Sequence, residues 1–434
     1  MNRQKLFMEL KYGINDRPKT GELVLYSLQW FILAIAVVTT SIFVATGSPA
    51  ERVLYAQKVF ALMGAATFVQ VLWGHRLPIV VGPAAVLLVG IITALASQGD
   101  AVNTNKIYTA IAIGGAAVTL LSIGRWLEHL KRIFTPRVVV LILMLIAFTL
   151  SPTIKNMIFP AAAPDKHTFG LVFTLLAIPA MALAAARWRG IAKSLVVPIA
   201  LVVGCVVYYA VYGGFAQVFE QYTESSGDII LPRFEFDGSM IVSFLLCYVT
   251  LLINDIGSIQ GLGAMLSTED TDKRCRRGVF ITGLFNIIAG SLGVIGPVNY
   301  SMSPGVIGAS RCASRYALIP AGLGLVICAM SPSLIAVFSA IPNTIIGVIL
   351  LYLMGTQLAA SFHIMTADKS AATFEDGLIL GLPILVALLF SAVPMGAIPQ
   401  MLRPIMGNGF VMGVVTVMVM EHLVFRKSGG NSAK

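Results

Sequence analysis

The stretch that decides the fold is Gly296-Pro297-Val298-Asn299-Tyr300-Ser301-Met302-Ser303-Pro304-Gly305, which interrupts an apolar segment with prolines, glycines and hydrogen-bonding side chains. Leu77-Pro78-Ile79-Val80-Val81-Gly82-Pro83-Ala84-Ala85 has the same arrangement. Each predicts a short extended piece and then a helix, with Pro83 in the first turn of one helix and Ser303 as the N-cap of the other. The pair predicts two half-helices whose N-termini face a polar ligand. The alternative is a pair of proline kinks whose backbone groups neighbouring helices satisfy.

The composition of the whole chain places these stretches in a membrane. Of 434 residues, 57% are hydrophobic and 12% are charged, with a mean hydropathy of +0.86. Soluble domains carry charge on about 25% of their residues. This excludes a soluble enzyme and predicts an all-α polytopic membrane protein.

The apolar stretches suggest fourteen transmembrane segments. They fall at about 21–46, 55–74, 77–98, 107–124, 138–154, 169–186, 192–214, 239–263, 278–295, 297–313, 316–338, 341–362, 376–395 and 405–425. The two interrupted stretches are then the third span of the first half and the third span of the second.

The net charge of +10 is explained by topology rather than by nucleic-acid binding. With a cytoplasmic N-terminus, most of the 30 basic residues fall on the inner side at alternate crossings, as the positive-inside rule requires. We therefore expect a multi-pass membrane protein with both termini cytoplasmic. The predicted units are a tail at 1–20, a seven-span repeat at 21–214, an extracytoplasmic loop at 215–237, a second seven-span repeat at 238–425 and a tail at 426–434. Because seven is odd, the second repeat is inverted relative to the first, as in many secondary transporters.

Asp255, in Asn254-Asp255-Ile256-Gly257-Ser258, is the one carboxylate well inside a predicted span. An acid at that depth is costly to bury and can bind and release a proton, so it is a candidate for proton coupling. Asn254 and Ser258 share one helical face, which suggests that they face a ligand while Asp255 faces a neighbouring helix. The alternative is that Asp255 is paired for packing alone.

Other chemistry finds little support in the sequence. There is no HExxH, no phosphate-binding glycine loop and no catalytic His/Asp/Ser spacing, and the five cysteines form no CxxC. We therefore expect no enzyme, no metal site and no cofactor, with the proton gradient as the driving force. Gln29, in the first span, holds the place in its half that the Asp255 region holds in the other. Its amide can bind a ligand, or it can join two helices.

These motifs resemble the nucleobase-ascorbate transporter family, the xanthine/uracil permeases, and within it a bacterial branch of purine permeases. The resemblance covers essentially the whole chain and rests on Gln29-Trp30, Gly74 through Pro83, Asn254 through Ser258, Tyr300 through Arg311 and Leu402 through Gly409. It implies two inverted repeats forming core and gate domains, short antiparallel strands in spans three and ten, a homodimer and an elevator-like motion.

The resemblance also implies a binding site, with departures from the family pattern. Two glutamates that clamp the base in uracil permeases fall at Asn254 and Met302, and a histidine linked to proton coupling falls at Ser258. The tyrosine beside the site is kept as Tyr300. We hypothesise that Asp255 takes over protonation. The predicted substrate-binding residues are Gln29, Ala85, Asn254, Ser258, Tyr300, Ser301, Met302 and Ser303.

The leading interpretation is a secondary active transporter that takes up a nucleobase, purine or pyrimidine, together with protons. The alternative on the same fold is a carrier of a small organic or inorganic anion, since half-helix dipoles also suit anions. A membrane-embedded enzyme would need two or more convergent catalytic groups, whereas Asp255 stands alone.

Overall fold

The computed structural model describes residues 10–98, 103–124, 135–161, 163–188, 192, 195–223, 231–300, 303–367, 370–399 and 402–425. Within these residues the chain is mostly helical, and eight helices are long and apolar enough to cross a membrane. A bent pair makes a ninth if it counts as one span. The structure is therefore that of a polytopic helical membrane protein.

The elements follow the chain in a simple order. They are α1 (Thr20–Val38), α2 (Pro49–Leu72), β1 (Val81–Pro83), α3 (Ala85–Gln98), α4 (Thr104–Ile123), α5 (Pro136–Ile158), α6 (His167–Arg187), α7 (Val196–Tyr212), α8 (Phe215–Thr223), α9 (Gly238–Met265), α10 (Thr271–Leu292), β2 (Pro297–Asn299), α11 (Ser303–Ser310), α12 (Leu318–Ala329), α13 (Pro332–Ser339), α14 (Asn343–Ala367), α15 (Phe374–Ala392), α16 (Arg403–Met406) and α17 (Gly409–Val419). Short 3-10 turns lie at Thr39–Val44, Pro164–Lys166, Arg315–Ala317 and Met395–Ala397, and a π turn at Met420–Val424.

Each predicted apolar stretch overlaps at least one of these helices. One predicted span, 316–338, and the predicted loop 215–237 differ in shape from the prediction. The stretch 316–338 is two helices that meet at 96°. Ser331 caps the second by accepting from the Leu334 N–H, and Pro332 follows at its first position, so a new helix begins there. The predicted loop 215–237 opens with helix α8 instead of irregular chain.

The two interrupted stretches form a two-stranded antiparallel sheet, as the family resemblance implies. Its register pairs Val81 with Asn299, Gly82 with Val298 and Pro83 with Pro297. Because the strands are antiparallel, α3 and α11 leave from opposite ends of this ladder. Gly82 has no room for a side chain, since a Cβ there would lie 2.6 Å from Val37 Cγ1 and 2.7 Å from the Tyr300 ring.

The helix starts within these stretches differ from the prediction. Pro83 ends β1 and does not enter a helix, because the Ala84 N–H is used by the Gly296 carbonyl and α3 begins only at Ala85. Ser303 is the first residue of α11. Its hydroxyl accepts from the Val80 N–H of the other stretch, so it joins the two broken segments.

Glycines allow two helix pairs beside the ladder to pack at backbone contact. Gly64 of α2 lies against the Gly322 carbonyl of α12, and Gly322 lies against the Gly64 carbonyl. In α4, a Cβ on Gly115 would come within 2.6 Å of the Ile287 backbone nitrogen of α10. α1 also packs on α12, and α9 on α4. These helices and the ladder form one group, which we call the ladder group.

A second group consists of α5, α14, α15 and α17, with α6 and α7 packed on α14. Arg137 at the start of α5 forms ion pairs with two acids at one end of this group. Its Nη1 lies 2.9 Å from Asp376 Oδ1 of α15 and 3.4 Å from Glu421 Oε2. All three side chains are largely shielded. We call these helices the α5–α14 group.

The segment before α9 is tied to the start of α4 by hydrogen bonds. The amides of Asn105 and Asn103 donate to the two carboxylate oxygens of Glu235 at 2.9 and 2.6 Å. These bonds, from Asn105 first and Asn103 second, hold the pKa of the Glu235 carboxyl below its ordinary value.

Gly115→Ala tests the backbone contact between α4 and α10. The added methyl overlaps the backbone of α10, so we expect the free energy of unfolding in detergent to fall by about 1–3 kcal/mol. Gly381→Ala in α15 is the matched control, because a Cβ there meets nothing within 4 Å. Equal thermal midpoints for the two variants would contradict this packing.

Candidate functional site

Asn299, the last residue of β2, is the centre of a buried polar network. Its backbone N–H and its side-chain Nδ2 both donate to Asp255 Oδ1, at 3.0 and 2.7 Å. Its Oδ1 lies 3.1 Å from His75 Nε2. Asn299, Asp255 and His75 are each 0% exposed. One strand residue thus links an acid on α9 to a histidine at the end of α2.

The hydrogen bonds define the orientation of the His75 ring and of the Asn299 side-chain amide. His75 Nδ1 accepts from the Leu77 N–H at 2.9 Å, so Nδ1 carries no proton and Nε2 carries it. Nε2–H then donates to Asn299 Oδ1, which turns the Asn299 amide nitrogen towards Asp255. His75 therefore positions Asn299, and Asn299 in turn solvates the carboxyl group.

Asp255 uses only one of its oxygens in these contacts. Oδ2 is buried and has no hydrogen-bond partner within the described part of the chain. An acid held on one oxygen with the other unpartnered can hold a proton or receive a donor from a ligand. Asp255 contacts the strand β2 through Asn299 and also lies beside Thr282 of the neighbouring helix α10. The contact with the strand adds to the expected one with a helix.

Ser258 also differs from its expected orientation. It is buried, and its hydroxyl lies 2.7 Å from the Asn254 carbonyl and 2.9 Å from the Asn299 carbonyl. Residues three apart on a helix are neighbours, so Ser258 approaches β2 beside Asp255. It supports the ladder from the same side as the acid. Asn254 is half-buried.

A second layer of polar side chains surrounds this network. Gln70 of α2 donates from Nε2 to the Gly278 carbonyl and to Thr282 Oγ1 of α10, at 2.8 and 3.0 Å. Asn286 of α10 donates to the Pro297 carbonyl at 2.9 Å and accepts from the Tyr248 hydroxyl at 2.7 Å. These bonds hold the ladder between α2, α9 and α10.

Tyr300 and Ser303 close the ladder on its other side. The Tyr300 hydroxyl donates to the Pro83 carbonyl at 2.8 Å, and the Tyr300 backbone N–H donates to the Val80 carbonyl at 2.9 Å. Ala85 opens α3 and is half-buried. The predicted residues Ser301 and Met302 lie outside the described residues.

Gln29 is 2% exposed in α1. Neither its Nε2 nor its Oε1 has a hydrogen-bond partner among the residues that the structure describes. A buried amide without protein partners is costly, because it has lost its water. The structure shows no hydrogen bond between Gln29 and Asp255, Asn299 or His75.

Sequence reasoning missed His75 and Asn299 as members of the site. Asn299 stands inside the stretch quoted first, where a polar residue at the end of a strand was a visible signal. His75 falls between the predicted spans 55–74 and 77–98, so its position along the chain gives no sign that it is buried. Arg76 that follows it has φ of 55°, and this left-handed turn directs the chain inward towards the ladder.

The fold and this site define an integral membrane permease, in which two broken segments meet around a buried acid. The chain belongs to the xanthine/uracil permease family: the model of this Permease family matches residues 21–396. The family consists of permeases, so the expectation of a transporter rather than an enzyme is confirmed.

Three curated relatives are similar to this chain over 90% or more of its length. A Clostridium perfringens protein assigned as a purine permease is 23% identical, over 97% of this chain and 94% of its own length. The xanthine permease XanP of Escherichia coli is 24% identical, over 96% and 95%. The uric acid permease PucK of Bacillus subtilis is 24% identical, over 90% and 91%.

Two solved structures share the fold. The transmembrane domain of the cyanobacterial bicarbonate transporter BicA superposes with a TM-score of 0.62 at 12% identity, covering 87% of this chain and 98% of that domain. SLC26A9 superposes with a TM-score of 0.59 at 13% identity, covering 93% and 66%. At these identities the likeness concerns the fold alone.

Asn299→Ala tests the network. The substitution removes the side-chain donor to Asp255 Oδ1, which keeps only the backbone N–H of residue 299, and leaves His75 Nε2 buried without its partner. We therefore expect the free energy of unfolding to fall by about 2–6 kcal/mol. Asn156→Ala is the matched control, because Asn156 is exposed on α5, and it should change stability by about 0.5 kcal/mol or less. Thermal unfolding of both purified variants gives the comparison. A loss no larger than that of the control contradicts the network.

Proposed function

We propose that this chain is a secondary active transporter that takes up a nucleobase of the purine type together with protons. The observation that carries the proposal is the buried Asp255, held on one oxygen by the ladder that joins the two broken segments. A proton on Asp255 neutralises a charge beside the strands, so its arrival or loss can change the packing of the ladder. The xanthine and uric acid permeases among the relatives support a purine ring as the substrate class.

The packing supports an inverted repeat with fourteen spans. The spans are counted from the start of each half. The second span of the first half, α2, packs on the fourth span of the second half, α12, and the fourth span of the first half, α4, packs on the second span of the second half, α10. β1 and β2 belong to the two third spans, and α5 and α14 are the two fifth spans. Such reciprocal pairing is expected when two halves are related by a two-fold axis in the membrane plane.

The two helix groups correspond to a core and a gate in this proposal. The ladder group carries Asp255 and would move as the core, against the α5–α14 group as the gate. The proposal includes an inner-membrane location with both termini cytoplasmic, supported by the distribution of basic residues. A homodimer completes it, as the family resemblance implies.

A small inorganic anion suits the site less well than a planar heterocycle. The ionised form of Asp255 repels an inorganic anion near the ladder. The two donors on Asp255 Oδ1 stabilise this ionised form. The Gln29 amide offers a donor and an acceptor together, which match the alternating edge of a purine.

Gln29→Leu tests the role of the amide in binding. Removing an unpartnered buried amide should raise the free energy of unfolding of the substrate-free protein by about 1–3 kcal/mol. The same change should weaken binding of xanthine or uric acid by about 10-fold or more, because hydrogen bonds to the ligand are lost.

Thermal shifts of the purified protein with xanthine, uric acid, bicarbonate and sulfate measure both effects. A destabilised Gln29→Leu protein shows that the amide has a structural partner and contradicts its binding role. Shifts with the two inorganic anions alone support the anion carrier and contradict the nucleobase.

Asp255→Asn tests proton coupling. Uptake of radiolabelled xanthine driven by an imposed pH gradient should be lost, because the amide cannot bind and release a proton at physiological pH. Exchange of labelled for unlabelled xanthine across the membrane, which needs no net proton movement, should persist. Asp165→Asn, at an exposed position, is the control and should behave as wild type. If Asp255→Asn retains uptake that a protonophore abolishes, Asp255 is not the coupling group.

A further inference from the structure

The end of the ladder group opposite to Arg52 carries a cleft of about 560 Å³ outside the proposed substrate site. Its walls come from the end of α2, the end of α4 and the start of α10. The residues that line it are Trp73, Ser122, Ile123, Lys273, Arg276, Arg277, Phe280 and Ile281.

The lining separates into a basic rim and an apolar floor. Lys273, Arg276 and Arg277 supply three positive charges, and no acid is among the described residues that line the cleft. Within the described residues the rim has an ion pair between Lys273 and Asp270 at 3.2 Å. Both side chains are more than half exposed, so the pair offsets little of the positive charge of the rim. An adjoining cleft of about 210 Å³ shares Lys273 and Arg277 and adds Arg76, Arg274 and one acid, Asp270.

The floor continues as an apolar stripe along α10. Phe280, Leu284 and Ile288 follow at four-residue intervals below Arg276 and are 36, 38 and 37% exposed. Trp73 and Ile123, across the cleft, are 58 and 60% exposed. A tryptophan beside arginines at a helix end is typical of the boundary between headgroups and acyl chains.

Arg276 also holds the cleft in shape. Its Nη2 donates to the Ile123 carbonyl at 3.1 Å, so a guanidinium from α10 caps the C-terminal end of α4.

We infer that this cleft binds an anionic phospholipid, with the phosphate on the rim of Lys273, Arg276 and Arg277 and one acyl chain along Phe280, Leu284 and Ile288. Charge complementarity selects the anionic headgroup, and the stripe selects a ligand with a hydrocarbon chain over a free phosphate. The site lies on the ladder group, so the lipid stabilises that group without touching the Asp255 network.

The test uses the full chain purified in a neutral detergent. Phosphatidylglycerol should raise the thermal midpoint, whereas phosphatidylcholine with the same acyl chains and sodium phosphate should not. In the variant Lys273→Gln/Arg277→Gln, the phosphatidylglycerol concentration that gives half of the thermal shift should rise by about 30-fold. The reason is that each basic residue near an anionic surface contributes about 1 kcal/mol. Arg52→Gln/Lys155→Gln removes two exposed charges outside the cleft and is the control, which should respond as wild type.

Several results would overturn the lipid site. An unchanged response of the Lys273/Arg277 variant, or an equal loss in the control, places the lipid effect elsewhere on the surface. A full shift with sodium phosphate shows an anion site without a lipid. If the double variant aggregates on size exclusion, the single changes Lys273→Gln and Arg277→Gln are measured instead, and each should show a smaller loss in the same direction.

Discussion

Backbone groups that leave helical structure inside a bilayer have to find their hydrogen-bond partners within the protein. The whole arrangement depends on this constraint. Two proline-containing segments, each unable to continue as a helix, satisfy one another across the ladder from Val81–Pro83 to Pro297–Asn299. Neither segment has this solution alone, so the two halves of the chain must meet. The close glycine contacts around the ladder and the polar side chains that reach it follow from that meeting.

Asn299 shows how structure and chemistry share the same residue. As the end of a strand it belongs to the ladder, and through its side chain it connects His75 and Asp255. A buried carboxyl group needs donors. Here one donor is the backbone N–H of a strand residue, which no helix uses, and the other is the side-chain amide of the same residue, Asn299. The position of the acid and the break in the helices therefore depend on each other, and in the proposed function a proton on Asp255 acts on the geometry of the ladder.

Much of this was predictable from the sequence. Asp255 was found because charge is scarce at its depth, and the two broken segments because proline and glycine recur in both. The directions of side chains were less accessible: Ser258 turns to β2, and Ser303 bridges to Val80, because strand contacts outweigh the helix-face pattern. His75 was missed since its role depends on a left-handed turn at Arg76. The meeting of Gly64 with Gly322 requires the tertiary structure.

The central claim is that Asp255 exchanges a proton when substrate binds. Titration calorimetry with xanthine, repeated in buffers of different ionisation enthalpy, counts the protons taken up or released on binding. We expect about one proton linked to each substrate molecule in the wild-type protein and none in Asp255→Asn, because the Asp255 carboxyl is the one group whose protonation changes on binding in this account. Binding of xanthine with no linked proton in the wild type, or with the same linkage in the variant, would contradict it.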